Sequence, residues 1–109
     1  VVRLPMSRAD AVDPEEALVA ALSSCHMLFF LSYAAAGGFV IDRYEDEAVG
    51  EMGKNESGAV AMLKCRLRPK ITWGGTPPDA AKLDALHHRS HKDCYIANSV
   101  RTEVLIEPR

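Results

Sequence analysis

The chain has 109 residues, 48% apolar and 26% charged, with a formal net charge of −2. That is the make-up of one small globular domain, spanning 1–109, with a modest core. It excludes the basic footprint of a nucleic-acid binder. Three cysteines, with no recognisable signal peptide, exclude a secreted disulfide framework. A cytoplasmic location is expected, where thiols tend to be catalytic, metal-bound or buried.

The opening residues VVRLPM already read as a strand. The sequence is therefore expected to be a piece of a longer protein, lacking its N-terminal strands. A helix follows. Asp13 serves as its N-cap and Pro14 as its first residue, with Glu15 and Glu16 at the positive end of the dipole. Asp13 with Glu16 resembles a capping box. From 17 to 31 apolar residues occupy nearly every face, among them Leu18, Val19, Leu22, Leu28, Phe29, Phe30 and Leu31, and Gly37 with Gly38 ends the helix. The stretch 17–41 carries no charge apart from protonation of His26, and its length suffices to span a bilayer. Ser23, Ser24 and His26 at mid-span favour a buried core helix and no membrane association. A helix apolar all round is buried on all sides, which one thin sheet does not achieve, so a second subunit is the simplest cover.

Residues 39–52 and 59–73 read as two long strands joined by the turn GKNESG. The second alternates. Ala59, Ala61, Leu63, Cys65, Leu67, Ile71 and Trp73 share one face, and Lys64, Arg66, Arg68 and Lys70 the other. The first is acidic, with Asp42, Glu45, Asp46, Glu47 and Glu51, so charge supports the pairing. Pro69 marks an edge strand or a bulge. A second helix is expected over 77–92, capped by Thr76 or Asp79, with Leu83, Leu86, His87, Ser90 and Cys94 on one face. A last strand covers 99–107. Strand, long helix, hairpin, helix, strand is an α+β order, an antiparallel sheet packed on a long central helix.

The three thiols differ in setting. Cys65 sits among apolar neighbours on a strand and reads as a small buried hydrophobe. Cys25 and Cys94 lie on helix-like segments that must cover the same sheet, so their sulfurs are candidates to meet. One chemistry for them is zinc: His87 and His91, four apart, with Cys25 and Cys94, would make a two-histidine, two-cysteine set, although the spacing is not that of a zinc finger. A second is redox. A peroxide-reducing thiolate becomes a sulfenic acid, and another thiol condenses with it to a disulfide. Met27, Leu28, Phe29 and Phe30 would wall an apolar pocket. A third is a non-catalytic domain that binds a small ligand. His26 either faces such a site or lies beside it.

DPEEALVAALSSC, residues 13–25, resembles the helix start and following cysteine of the osmotically inducible protein C (OsmC) family, which includes the organic hydroperoxide resistance proteins. HKDCYIANS, 91–99, resembles its second cysteine motif, and VRTEVLIEP its final strand; CHMLFFL is most similar to the OsmC-like branch. The resemblance covers nearly the whole chain. It implies an intertwined homodimer with a sheet wrapped around long central helices. It also implies reduction of organic hydroperoxides by two cysteines, without metal or prosthetic group, and a dithiol reductant of the lipoyl type. Carried over by motif, Cys25 is the peroxidatic thiol and Cys94 the resolving one. Glu15 matches the glutamate that orients an arginine, which stabilises the thiolate. That arginine lies well before the motif in the family. Arg3 and Arg8 do not match its position. Ten residues of helix span about 15 Å, so either the helix is broken or Glu15 serves the Cys25 of another subunit.

Overall fold

A computed structural model of the chain describes residues 12–109. The strand read at 1–6, with Arg3 and Arg8, lies outside the described residues. Helix α1 spans Pro14–Ala36 without a break. Its start follows the local chemistry: Asp13 Oδ1 accepts from the Glu16 amide at 2.8 Å. At its end Gly38 takes φ +84°, and the Phe39 amide donates back to the Ala34 carbonyl at 3.0 Å.

One stripe of α1 is buried, at every fourth residue: Leu22, His26, Phe30 and Ala34. Leu28 is 61% exposed. The expectation of burial on all sides therefore does not hold within one chain. By length and composition α1 is apolar enough to cross a membrane (mean hydropathy 1.6), yet only 22% of that stretch is buried in the chain.

The two long strands expected after α1 are each broken in two. The elements are β1 (Ile41–Asp46), β2 (Val49–Lys54), β3 (Val60–Leu67) and β4 (Pro69–Trp73). β1 pairs with β4, and β2 with β3, both antiparallel, in separate sheets. After helix α2 (Ala80–Asp93) and a single 3-10 turn (Ala97–Ser99) comes β5 (Glu103–Ile106). It lies parallel to β3, so the three-stranded sheet is mixed rather than wholly antiparallel as expected.

The break has two causes, one local and one distant in sequence. Pro69 has no amide proton for the ladder. Beside it, Asp46 Oδ1 accepts from the Arg68 amide at 2.6 Å, while Ser23 Oγ donates to Asp46 Oδ2 at 2.5 Å. One carboxylate thus replaces a strand partner and ties the junction to α1. A bulge explains the other departure. Glu51 pairs with Lys64 but Met52 with Met62, leaving Leu63 extra. Alternation flips there: Leu63 turns outward over Gly53, and Met62 packs inward on the core.

Two cores follow along α1. Leu22, Cys65 and Leu67 close the first, against the mixed sheet and the 3-10 turn. Phe30, Ala34 and Leu86 close the second, with Tyr44, Ile71, Trp73 and Leu83 from β1, β4 and α2 around them. The tail of α2 and the middle of α1 meet where these cores adjoin.

Candidate active site

Cys94 is the C-cap of α2, at φ −60° and ψ 116°, so the chain leaves the helix there. Its sequence surroundings build that exit. Asn98 Nδ2 donates to the carbonyls of Lys92 and Cys94, both at 2.9 Å, and Ser99 Oγ donates to the Tyr95 carbonyl at 2.7 Å. The Ala97 amide donates to Cys94 Sγ at 3.5 Å. The CYIANS run is therefore a helix stop that cradles a sulfur atom. Asn98 was not singled out from sequence, although an asparagine four residues after a helix-ending cysteine is a turn signal.

Cys25 lies on α1 and is half-buried, whereas Cys94 is 1% exposed. The two thiols are free and in hydrogen-bonding contact. Burial, and then the hydrogen bond to Cys25, push the Cys94 thiol up to about 11. Cys94 is accordingly the donor in that contact and Cys25 the acceptor. Tyr95, 74% exposed, sets its ring edge against Phe29 at 5.1 Å between centroids. These aromatics stand one residue after Cys94 and one turn after Cys25.

A second tie joins the same two helices. Tyr33 OH donates to Asp93 Oδ2 at 2.5 Å, and the Arg89 guanidinium lies 3.9 Å over the Tyr33 ring. The hydrogen bond from Tyr33 leads the causes that push its hydroxyl above the usual tyrosine range. None of these three residues stood out in the sequence.

The zinc set is not assembled. His87 Nδ1 faces His26 Nε2 at 3.0 Å instead of a thiol, and no three His, Cys, Asp or Glu residues converge as a metal group among the described residues. His26 is buried in the core beside the site rather than facing it. Glu15 sits in the first turn of α1, lining a cleft of about 540 Å³ with Asp13, Ser23, Asp46 and Met62. Because α1 is unbroken, roughly 15 Å of helix separates Glu15 from Cys25 of its own chain. Cys65 is fully buried against Leu22 and Leu67, as its strand position suggested.

No functionally curated protein matches the chain significantly. Among solved structures, an OsmC-like protein of unknown function from Vibrio cholerae is 50% identical, with a TM-score of 0.95 over 99% of this chain and 71% of that one. The organic hydroperoxide resistance protein OhrB of Bacillus subtilis has the same fold at 21% identity, with a TM-score of 0.76 over 99% of this chain and 80% of its own. An organic hydroperoxide resistance protein from Elizabethkingia anophelis follows at 20% identity and 0.74, covering 98% of this chain and 76% of that one. The family model described as OsmC-like protein matches residues 7–109. The chain therefore belongs to the OsmC-like protein family, within which its α+β arrangement of two helices and antiparallel and mixed sheets is shared.

Proposed function

We propose that this chain is a thiol-dependent peroxidase that reduces organic hydroperoxides through a Cys25–Cys94 cycle. The observation that carries the reading is the contact between those two sulfurs, brought together from positions 69 residues apart. Family membership, and the organic hydroperoxide resistance proteins that share the fold, support it.

The cycle balances as follows. The Cys25 thiolate attacks one peroxide oxygen; an S–O bond forms, the O–O bond breaks, and the alcohol leaves with a proton. Cys25 is now a sulfenic acid. Cys94 attacks that sulfur, the S–S bond forms and water leaves. A dithiol, of the lipoyl type by the family resemblance, then reduces the disulfide and is itself oxidised. Phe29 and Tyr95 offer the organic group an apolar wall. No metal or prosthetic group enters the cycle.

The reading includes a homodimer and a cytoplasmic home. The uncovered face of α1, with Leu28 exposed, supports a second copy as its cover. Glu15 cannot reach Cys25 along its own helix, which supports a role at the partner's sulfur, through an arginine.

Thiol counting tests the proposal. One equivalent of cumene hydroperoxide should remove two thiols per chain, leave a Cys25–Cys94 disulfide, and spare Cys65. No thiol loss would overturn the reading in favour of a ligand-binding domain.

A further inference from the structure

His26 directly follows Cys25 on α1, and His87 lies two helical turns before Cys94 on α2. Their rings meet inside the core. His26 is 1% and His87 5% exposed, His26 Nε2 is 3.0 Å from His87 Nδ1, and the rings lie 6° from parallel. Phe30 covers the pair, its centroid 4.4 Å from that of His87. A bond between two neutral imidazoles uses one N–H and one lone pair. The outer nitrogens, His26 Nδ1 and His87 Nε2, are buried without a hydrogen-bond partner. All the hydrogen bonding of the pair is thus in the one bond between the rings, which ties α2 to α1 alongside Tyr33–Asp93.

We propose that the His26–His87 pair is a positioning element for the sulfur pair, holding α2 on α1 in the register that keeps Cys94 against Cys25. The proposal rests on the redox reading of those sulfurs. It differs from an ordinary packing contact in one respect: the link lasts only until both rings carry a proton. Burial holds both rings near a pKa of about 4, with the neighbouring ring adding to the effect on His26. His91 and Asp84 of α2 face the pair, Tyr44 of β1 reaches it through Phe30, β4 brings Trp73, and the C-terminal segment brings Ile106 and Pro108. Asp84 is the anion in that set, and it favours a proton on His87 alone. A second proton sets N–H against N–H and breaks the link, which leaves α2 held by the Tyr33–Asp93 bond and by packing and loosens the register of Cys94 on Cys25.

The test uses 2,2′-dithiodipyridine, which oxidises thiols without peroxide and stays reactive in acid. One cysteine forms the mixed disulfide and releases a pyridine thione; the other displaces the second thione and closes Cys25–Cys94. The rate of closure is read by mass spectrometry for wild type, H87A and H26Q/H87N, the last placing an amide at each bonded nitrogen. At about pH 7.5, wild type and H26Q/H87N should close within about threefold of each other, and H87A about tenfold more slowly. At about pH 3, below both ring values, wild type should fall several-fold towards the H87A rate while H26Q/H87N keeps its lead over H87A; ratios at one pH cancel the thiolate fraction. H87A closing as fast as wild type at the higher pH, or H26Q/H87N falling with wild type in acid, overturns the proposal. If circular dichroism shows H26Q/H87N unfolded, His87→Asn alone is judged by the same ratios. A parallel run with cumene hydroperoxide separates the two ideas. Pyridyl closure with the expected ratios but no peroxide reaction sinks the peroxidase and leaves the positioning role standing.

Discussion

Cys65 and Cys94 make an instructive pair. Both are buried, and both thiols are pushed up to about 11, chiefly by burial. Around Cys65 the walls are Leu22 and Leu67, and the secondary cause is the charge of Asp46. Around Cys94 there is another sulfur, an amide cradle from the 3-10 turn, and a helix end built to expose that side of the residue to α1. The same burial and the same direction of shift therefore accompany a thiol walled by apolar side chains and a member of a sulfur pair. What separates them is the second sulfur, and that is where the comparison is best attacked.

The largest expected effect is on turnover. Cys25→Ser should lower hydroperoxide consumption by about a thousandfold or more, while Cys94→Ser should leave a sulfenic acid on Cys25 that dimedone traps. Peroxide loss that survives Cys25→Ser and disappears in Cys65→Ala would invert the assignment of the two regions.

Acid should distinguish the regions next. His26 and His87 have folded pKa values of about 4, below the ordinary 6.5. Above 6.5 both rings are neutral, folded or unfolded, and add no pH dependence. As pH falls through 6.5 the unfolded chain takes up protons that the folded chain refuses until about 4, so stability drops across that window. Each ring contributes up to about 3 kcal/mol to the drop. Urea midpoints between those pH values should fall in wild type and stay flatter in H26Q/H87N. The surroundings of Cys65 hold no group that titrates this way among the described residues, so amide protection should be lost at α2 before β3.

A smaller effect is expected at the thiol walled by apolar side chains. Cys65→Ala should leave peroxide turnover within about twofold and cost about 1–2 kcal/mol of stability through the cavity it opens. Smaller still is the neighbouring surface. Arg66 bridges Glu51 on β2 and Glu107 after β5, each at 2.7 Å. Arg66→Gln should cost no more than about 1 kcal/mol, less in high salt, because the site is solvated. A larger loss there, read by the urea midpoint, would mean that β5 depends on charge rather than on packing over Cys65.

Some of this was legible in advance for reasons that stay local. The start of α1 was, because a capping carboxylate, Pro14 and two glutamates act within one turn. So was its end at Gly37 and Gly38. Helix α2 was placed but begins later than expected, at Ala80, because Asp79 rather than Thr76 caps it. The strand breaks were hidden, since alternation at 59–73 is indifferent to which partner each half finds; Asp46, 22 residues from Arg68, decided that. The parallel placement of β5 was hidden for the same reason. At the site, the cysteines were legible through their motifs. His87 and His91 were seen, with zinc as one alternative for them, but their pairing with His26 was hidden, since a spacing of four on one helix says nothing about a third histidine arriving from another helix.

By itself the sequence determined what neighbouring residues settle within a few bonds of one another: the ends of α1, the turn GKNESG, the apolar character of the long helix, and two cysteine motifs of one family. Tertiary structure alone decided which thiols meet, which histidines pair, where the strands change partners and which stripe of α1 is covered. Those outcomes depend on contacts between residues tens of positions apart, whose energies come from burial and from groups that no single segment contains.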